Sequence, residues 1–304
     1  MHRLILAVAL ALQSLPAAAH ATAAAGHQLA ENVLAAALGA LLLGAAYLYA
    51  KGIAALWRSA GVGRGVRRAE AACFAFGWGM LAIALLPPLD TFTHHSFAVH
   101  MIQHELLMVV AAPLLVLGRP LEAWAWALPL AAQRSLHRMT QAQPLRHAWR
   151  AFTAPLGAWT FHALSVWVWH VPVLFRLALE SVPLHILQHG CFFGSALAFW
   201  WAAFGKGARA PTATSIASLF TTMLHTSALG ALLTFAPTVW YATGESPLFG
   251  LTPLEDQQLG GLVMWVPGGL GYMIAGLAIV ARWLAPAGRG VSKTAVSETA
   301  SGAA

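Results

Sequence analysis

Two copies of one histidine pattern are the residues best suited to chemistry in this sequence. The segments His100–His104 and His185–His189 both read His-x-x-Gln-His, so the histidines are four apart and the glutamine is three after the first. On an α-helix these three positions share one face. Polar side chains in apolar helices are costly, so they indicate a functional site. Two such faces at equal depth predict one shared site.

The composition places this pattern in a membrane. The chain has 304 residues, of which 59% are hydrophobic and 9% are charged, whereas a soluble domain has about 25% charged residues. We therefore predict an all-α, polytopic membrane protein. The formal net charge of +7 does not indicate a nucleic-acid partner, because the basic residues lie in short loops between apolar segments, as in membrane proteins.

Seven apolar segments, each near the ~20 residues needed to cross a bilayer, predict a seven-transmembrane helix bundle within residues 31–285. Before it, residues 1–21 have the pattern of a signal peptide or, alternatively, of an uncleaved signal anchor. After it, residues 286–304 are expected to form a disordered cytoplasmic tail. The seven predicted spans are 31–56, 69–88, 97–117, 152–171, 184–204, 213–236 and 259–284.

Loop charges orient these spans. Lysines and arginines are concentrated in the loops on one side, and Arg176 is the one such residue on the other side. The positive-inside rule then predicts a bacterial inner (plasma) membrane protein with the mature N-terminus outside and the C-terminus in the cytoplasm. Both histidine patterns begin spans that enter from the outside, so both are expected in the outer half of the bilayer.

Several imidazoles at one membrane depth predict a transition-metal site. Imidazole suits copper, zinc and iron, and a Met thioether adds a preference for Cu(I). We expect copper, as Cu(I), in coordination open enough to release the ion. The glutamines of the two patterns, or Asp256, are expected to hold the second imidazole nitrogen. The candidate metal residues are His100, His104, His185, His189, His170, His225, Met101, Met264 and Asp256, the last also at the entrance of the cavity.

Signals of enzymatic chemistry are incomplete. His104-Glu105 begins an HExxH zinc-protease motif, but Met108 occupies the closing position. The two cysteines, Cys73 and Cys191, form no CxxC pair. We therefore expect a protein that is not an enzyme. Glu105 has two open interpretations, as a proton-relay residue or as the buried partner of another helix.

Longer stretches resemble the CtaG-type (caa3-type) cytochrome c oxidase assembly proteins. The resemblance lies in His100–Pro120, Trp169-His170, His225–Gly230 and, most strongly, Asp256–Gly269, and it covers about residues 30–285. It implies a role in the maturation of haem–copper oxidase through copper delivery. Cytochrome c oxidase subunits are the partners that this resemblance implies. The composition implies contact with the lipid bilayer, and a periplasmic copper chaperone is a further expected partner of the copper site.

Two alternatives to copper delivery remain open. A b-type haem protein or quinone-linked membrane redox protein also uses histidines from two spans, although histidine pairs within one helix fit one shared metal site better. A metal-free assembly scaffold would use the same polar residues only to join helices.

Overall fold

The structure is a computed structural model that describes residues 32–205, 212–241 and 250–284. Every regular element in these ranges is helical, so the predicted all-α class is confirmed. The predicted signal segment and C-terminal tail lie outside the described residues. The helices are α1 (Asn32–Ala60), α2 (Arg68–Leu85), α3 (Leu89–Thr93), α4 (Phe97–Gly118), α5 (Pro120–Ala127), α6 (Leu130–Gln141), α7 (Gln143–Phe152), α8 (Pro155–Trp169), α9 (Pro172–Glu180), α10 (Val182–Phe204), α11 (Thr212–Thr234) and α12 (Pro253–Leu284).

The described helices account for five or six of the seven predicted spans by length and hydropathy. Helices α1, α2, α4, α11 and α12 are each long and apolar enough to cross a bilayer. Helices α8 and α9 are a sixth candidate if their 77° bend is counted within one broken span. Helix α10 has 23 residues, about 35 Å at ~1.5 Å per residue, but its histidines and glutamine lower its hydropathy. The count of seven therefore stays a prediction.

Helix α4, which contains the first histidine pattern, lies at the centre of the bundle. In the most apolar 18-residue stretch of this helix 56% of the residues are buried, compared with 33% or less in the other four candidate spans. It packs against α2, α10 and α12. A π-helical segment, Leu106–Ala111, follows its histidines, and α12 contains a second one, Met264–Gly268.

Glycines allow these helices to approach closely. A Cβ atom on Gly261 of α12 would lie 2.5 Å from the backbone nitrogen of Thr234 and 2.7 Å from the carbonyl oxygen of Gly230. Helices α11 and α12 thus meet backbone to backbone, a packing that small residues permit in membranes. Between α4 and α2, a Cβ on Gly118 would lie 2.7 Å from Cα of Phe74.

The bundle has two chemically different ends. At the histidine end, helices α4, α10 and α12 begin. At the basic end, Arg119 follows α4, donates to the carbonyl of Gly65 at 2.7 Å and pairs with Glu70 and Glu122. The amphipathic helices α6 and α7 follow there and contain no buried residues. The histidines thus lie at one end of the bundle and most of the arginines lie at the other.

Candidate metal centre

Hydrogen bonds from α12 fix the start of α4. Ser96 is the N-cap residue, and its hydroxyl donates to one carboxylate oxygen of Asp256 at 2.6 Å. The other carboxylate oxygen accepts the backbone N–H of Phe97 at 2.6 Å. A carboxylate at a helix N-terminus also interacts favourably with the helix dipole. His100, one turn further on, therefore starts from a fixed backbone position.

This geometry corrects the prediction for Asp256. The residue is 1% exposed and both of its carboxylate oxygens bond to the first turn of α4. It therefore does not line an entrance, and its carboxylate holds the helix rather than an imidazole. Its contact partners are about 160 positions away in sequence, and no local pattern indicates that contact.

The two His-x-x-Gln-His faces meet at the histidine end, as their spacing predicts. Within α4, the ring centroids of His100 and His104 are 4.3 Å apart, and within α10 those of His185 and His189 are 4.2 Å apart. Across the interface the His100 and His185 centroids are 5.4 Å apart, and those of His104 and His189 are 5.5 Å apart. One ligand atom from each of His100, His185 and His189 lies within 4.8 Å of the other two.

The imidazole nitrogens of this cluster are buried without hydrogen-bond partners. Both nitrogens of His100 and of His104 are in this state, and so is Nε2 of His185 and of His189. Leaving a buried polar group unpaired costs about 1–3 kcal/mol. A cation that accepts their lone pairs would remove much of this cost, and imidazole is a ligand for such cations.

His170 joins the cluster from the end of α8. Its ring centroid lies 6.1 Å from that of His104. Its Nδ1 lies 2.6 Å from the carbonyl oxygen of Val166, which only accepts, so Nδ1 carries the hydrogen and Nε2 has the free lone pair. That Nε2 atom is buried and unpaired. His170 is thus oriented as a ligand would be.

A loop after α11 holds the backbone of His170. The hydroxyl of Tyr241 donates to the His170 carbonyl oxygen. The side-chain oxygen of Gln257 in turn accepts the backbone N–H of Trp240 at 2.6 Å and of Tyr241 at 3.1 Å. Burial raises the pKa of the Tyr241 hydroxyl, so it stays protonated and able to donate.

Aromatic side chains form the walls of the cluster. The Phe175 ring lies 5.0 Å from His100, and the Phe192 ring lies 4.6 Å from His104 and 5.7 Å from His170. The sequence did not single out these residues, because phenylalanine in a membrane helix is ordinary. They give the imidazoles an apolar environment.

Two polar residues near the cluster were not among the predicted ligands. His94 is exposed, and its ring lies 5.9 Å from that of His185. Asp90 accepts a hydrogen bond from Gln103 at 2.9 Å and interacts electrostatically with His185. The position of His94 just before the first histidine pattern could have indicated that it lies near the cluster. Asp90, rather than Asp256, is the carboxylate beside these histidines.

Three other predicted ligands have their observed contacts with residues other than the cluster histidines. The Nδ1 atom of His225 accepts a hydrogen bond from Trp167 at 3.3 Å, and its ring packs against Trp159. Met101 packs against α12, where a Cβ on Gly260 would lie 3.2 Å from its Cγ atom. Met264 is buried in the π-helical segment of α12.

The glutamines of the two patterns differ from the prediction that they hold imidazoles. Gln103 donates to the Ala84 carbonyl at 2.7 Å as well as to Asp90, so it joins α4 to α2 and α3. The amide atoms of Gln188 are buried and unpaired. Gln188 lies between His185 and His189 in the sequence, and its unpaired amide remains free to interact with a ligand.

A separate group of buried polar residues joins α8, α10 and α12. Nδ1 of His162 lies 3.1 Å from the Ser195 hydroxyl, and Nε2 lies 3.2 Å from the Tyr272 hydroxyl. His162 is therefore a fully bonded core residue. Glu105 lies against α12, where a Cβ on Gly268 would come within 2.7 Å of its Oε2 atom. The Oε2 atom is buried without a hydrogen-bond partner in the described structure, so this steric contact does not distinguish the two interpretations of Glu105.

Comparisons with known proteins agree with the resemblance seen in the sequence. No curated protein and no solved structure matched the chain. The model of one protein family, described as cytochrome c oxidase caa3 assembly factor (Caa3_CtaG), matches residues 45–285. This match includes both histidine patterns, His170 and the α12 segment that caps α4, and it covers most of the chain. The protein belongs to the caa3-type cytochrome c oxidase assembly factor family.

Proposed function

We propose that this assembly factor binds Cu(I) at its histidine cluster and delivers the ion to cytochrome c oxidase. The observation that carries the proposal is the convergence of buried, unpaired imidazole nitrogens from α4 and α10, with those of His100, His185 and His189 within 4.8 Å of one another. Nitrogens ~2.0–2.1 Å from one metal ion are within about 4 Å of each other. Small rotations of the side chains would bring the three to that spacing.

The ligand set favours a singly charged, soft ion. Neutral imidazoles and phenylalanine walls surround the cluster centre, and Asp90 bonds to Gln103 at its edge. Burying a charge in apolar surroundings is costly, and the cost rises steeply with the charge. A single charge at any one position, as in Cu(I), therefore suits these ligands better than the double charge of Zn²⁺. A haem–copper oxidase also needs copper during its maturation, in agreement with the family.

Delivery requires that the ion can leave. Three nitrogen ligands are fewer than the closed set of four that holds a structural metal ion, so an incoming ligand from a partner protein can add to the ion and displace an imidazole. The loop charges support a cluster on the outer side of the membrane, with the N-terminus outside and the C-terminus in the cytoplasm. An outward cluster is accessible to a periplasmic copper donor and to the extracytoplasmic face of an oxidase subunit.

Single histidine substitutions test this function in cells. We expect His104→Ala and His189→Ala each to lower copper-dependent oxidase maturation several-fold, because each removes an imidazole from the cluster, while the amount of the factor in the membrane changes little. Oxidase activity and oxidase copper content in isolated membranes are the measurements. The matched control is His137→Ala, on the exposed face of α6, which should leave both unchanged.

Loss of the two variant proteins from the membrane would instead favour a packing role for these histidines. A metal-free scaffold predicts normal oxidase maturation in both variants at normal protein level.

The haem alternative predicts a strong Soret band in the purified protein. The imidazole centroids of neighbouring pattern histidines lie 4.2–6.1 Å apart within and between the helices, so four rings occupy the space that a haem macrocycle would need between them.

A further inference from the structure

The histidine cluster contains more imidazoles than one ion needs. His100, His185 and His189 form one group, here named the triad, whose ligand atoms lie within 4.8 Å of one another. Within the described residues, neither His104 nor His170 completes another such group of three. Both are nevertheless almost fully buried, at 1% and 4% exposure.

These two remaining histidines, here named the pair, have the spacing of a two-ligand metal site. Two imidazoles that share an ion at ~2.0–2.1 Å from each nitrogen have ring centroids no more than about 6.5 Å apart. The centroids of His104 and His170 are 6.1 Å apart, within this limit. Cu(I) accepts linear coordination by two neutral ligands, whereas Zn²⁺ almost always takes four.

The surroundings of the pair leave its nitrogens no other partner in the described structure. Both nitrogens of His104 and Nε2 of His170 are buried and unpaired. Phe192 packs against both rings, at 4.6 Å and 5.7 Å. Val166 and Tyr241 fix the ring and the backbone of His170 from outside the pair. The second ligand is thus held in place before any ion arrives.

We propose that the cluster has two Cu(I) positions, one at the triad and one at the pair, and that an ion passes between them by ligand exchange. This inference rests on the proposed copper function. His104 connects the positions, because its ring centroid lies 4.3 Å from that of His100 and 5.5 Å from that of His189. His94, which is exposed and 5.9 Å from His185, is the entry residue on the triad side.

Titration of the purified full-length protein with Cu(I) under anaerobic conditions, in competition with a chromophoric Cu(I) chelator, tests the two positions. We expect two equivalents for the wild type and one for each of two variants: His170→Ala, which removes the pair, and the double variant His185→Ala/His189→Ala, which leaves a single imidazole of the triad. His225→Ala is the matched control, because His225 is another partly buried membrane histidine that contacts Trp159 and Trp167 instead. It should keep two equivalents.

The outcomes separate the two positions from the copper function itself. One equivalent for the wild type that persists in His170→Ala would overturn the second position and leave the proposed function intact. Loss of all copper in His170→Ala would show one shared site and also overturn the inference. No copper in the wild type would overturn both proposals.

A second variant protects the test against misfolding. His170→Gln retains a side chain of similar size that is a poor Cu(I) ligand, so it should also bind one equivalent. Copper X-ray absorption of the fully loaded wild type should include the intense edge feature of two-coordinate Cu(I), and His170→Gln should lose it. An unchanged edge in this variant would contradict the pair as a binding position.

Discussion

At the scale of single residues, Asp256 joins α12 to the start of α4. Its carboxylate accepts the Ser96 hydroxyl and the Phe97 backbone N–H, each at 2.6 Å. Hydrogen bonds to charged groups contribute about 1.5–3 kcal/mol each. Because His100 lies on the next turn of α4, this cap couples the stability of the bundle to the position of a candidate ligand.

Substitution of Asp256 distinguishes a cap from a metal ligand. We expect Asp256→Ala to lower the free energy of unfolding of the metal-free protein by about 2 kcal/mol, since it leaves buried donors unpaired. Thermal unfolding in detergent without metal measures this change. Glu180→Ala is the control, because this carboxylate is exposed and only 3.8 Å from Arg176 in a surface ion pair. Unchanged metal-free stability in Asp256→Ala, together with weaker copper binding, would return Asp256 to the ligand set.

The histidine spacing shows what single residues reveal without a structure. Two histidines four apart define a helix face, and two helices that begin at the same end place such faces at the same depth. His225 lacked a second histidine on its helix to fix its direction, and it points to Trp159 and Trp167. The orientation of His170 depends on a backbone carbonyl and on Tyr241, so no side-chain pattern could predict it.

At the scale of helices, backbone contact between α11 and α12 holds the element that caps α4. The contact requires glycine, because a Cβ on Gly261 would lie 2.5 Å from the Thr234 nitrogen. Backbone atoms cannot rotate away as side chains do, so the helices would have to separate.

Two glycine substitutions in one helix test this packing. We expect Gly261→Ala to destabilise the protein by about 1–3 kcal/mol, the usual cost of overpacking. In Gly276→Ala the added Cβ meets nothing within 4 Å, so stability should be unchanged or slightly higher. Thermal unfolding of both variants in the same detergent is the measurement. Equal stability of the two variants would mean that α11 and α12 are not in backbone contact.

The hydrophobic pattern predicted the positions of the helices better than it predicted how many of them cross the membrane. Helices α1, α2, α4, α11 and α12 fall within or close to five predicted spans. The fourth predicted span is shorter than expected, because α8 ends at Trp169 and Pro172 begins α9 at a 77° angle. The predicted end of this span at residue 171 already lies at the bend, because Pro172 begins the next helix.

At the scale of the whole molecule, charge and histidines separate to opposite ends. Arg119 and the exposed helices α6 and α7 lie at the basic end, and the cluster lies where α4 and α10 begin. If the basic end faces the cytoplasm, the cluster faces the compartment in which a copper donor would act.

Fusion reporters test this orientation. A reporter active only outside the cytoplasm should be active after Leu89, near the histidine end, and silent after Gly63 or Gln141, at the basic end. Fusion-protein levels measured by immunoblot control for expression. Activity after Gly63 and Gln141 with silence after Leu89 would place the histidines on the cytoplasmic side and remove the basis for delivery outside.

The central claim is that imidazoles of the two His-x-x-Gln-His faces bind copper together. Copper X-ray absorption of the purified protein with one equivalent of Cu(I) tests it most directly. We predict nitrogen ligands at about 2 Å with the scattering pattern of imidazole rings, and fewer imidazole ligands per copper in His189→Ala but not in His137→Ala. Sulfur ligands, or an identical spectrum in His189→Ala and the wild type, would contradict the claim.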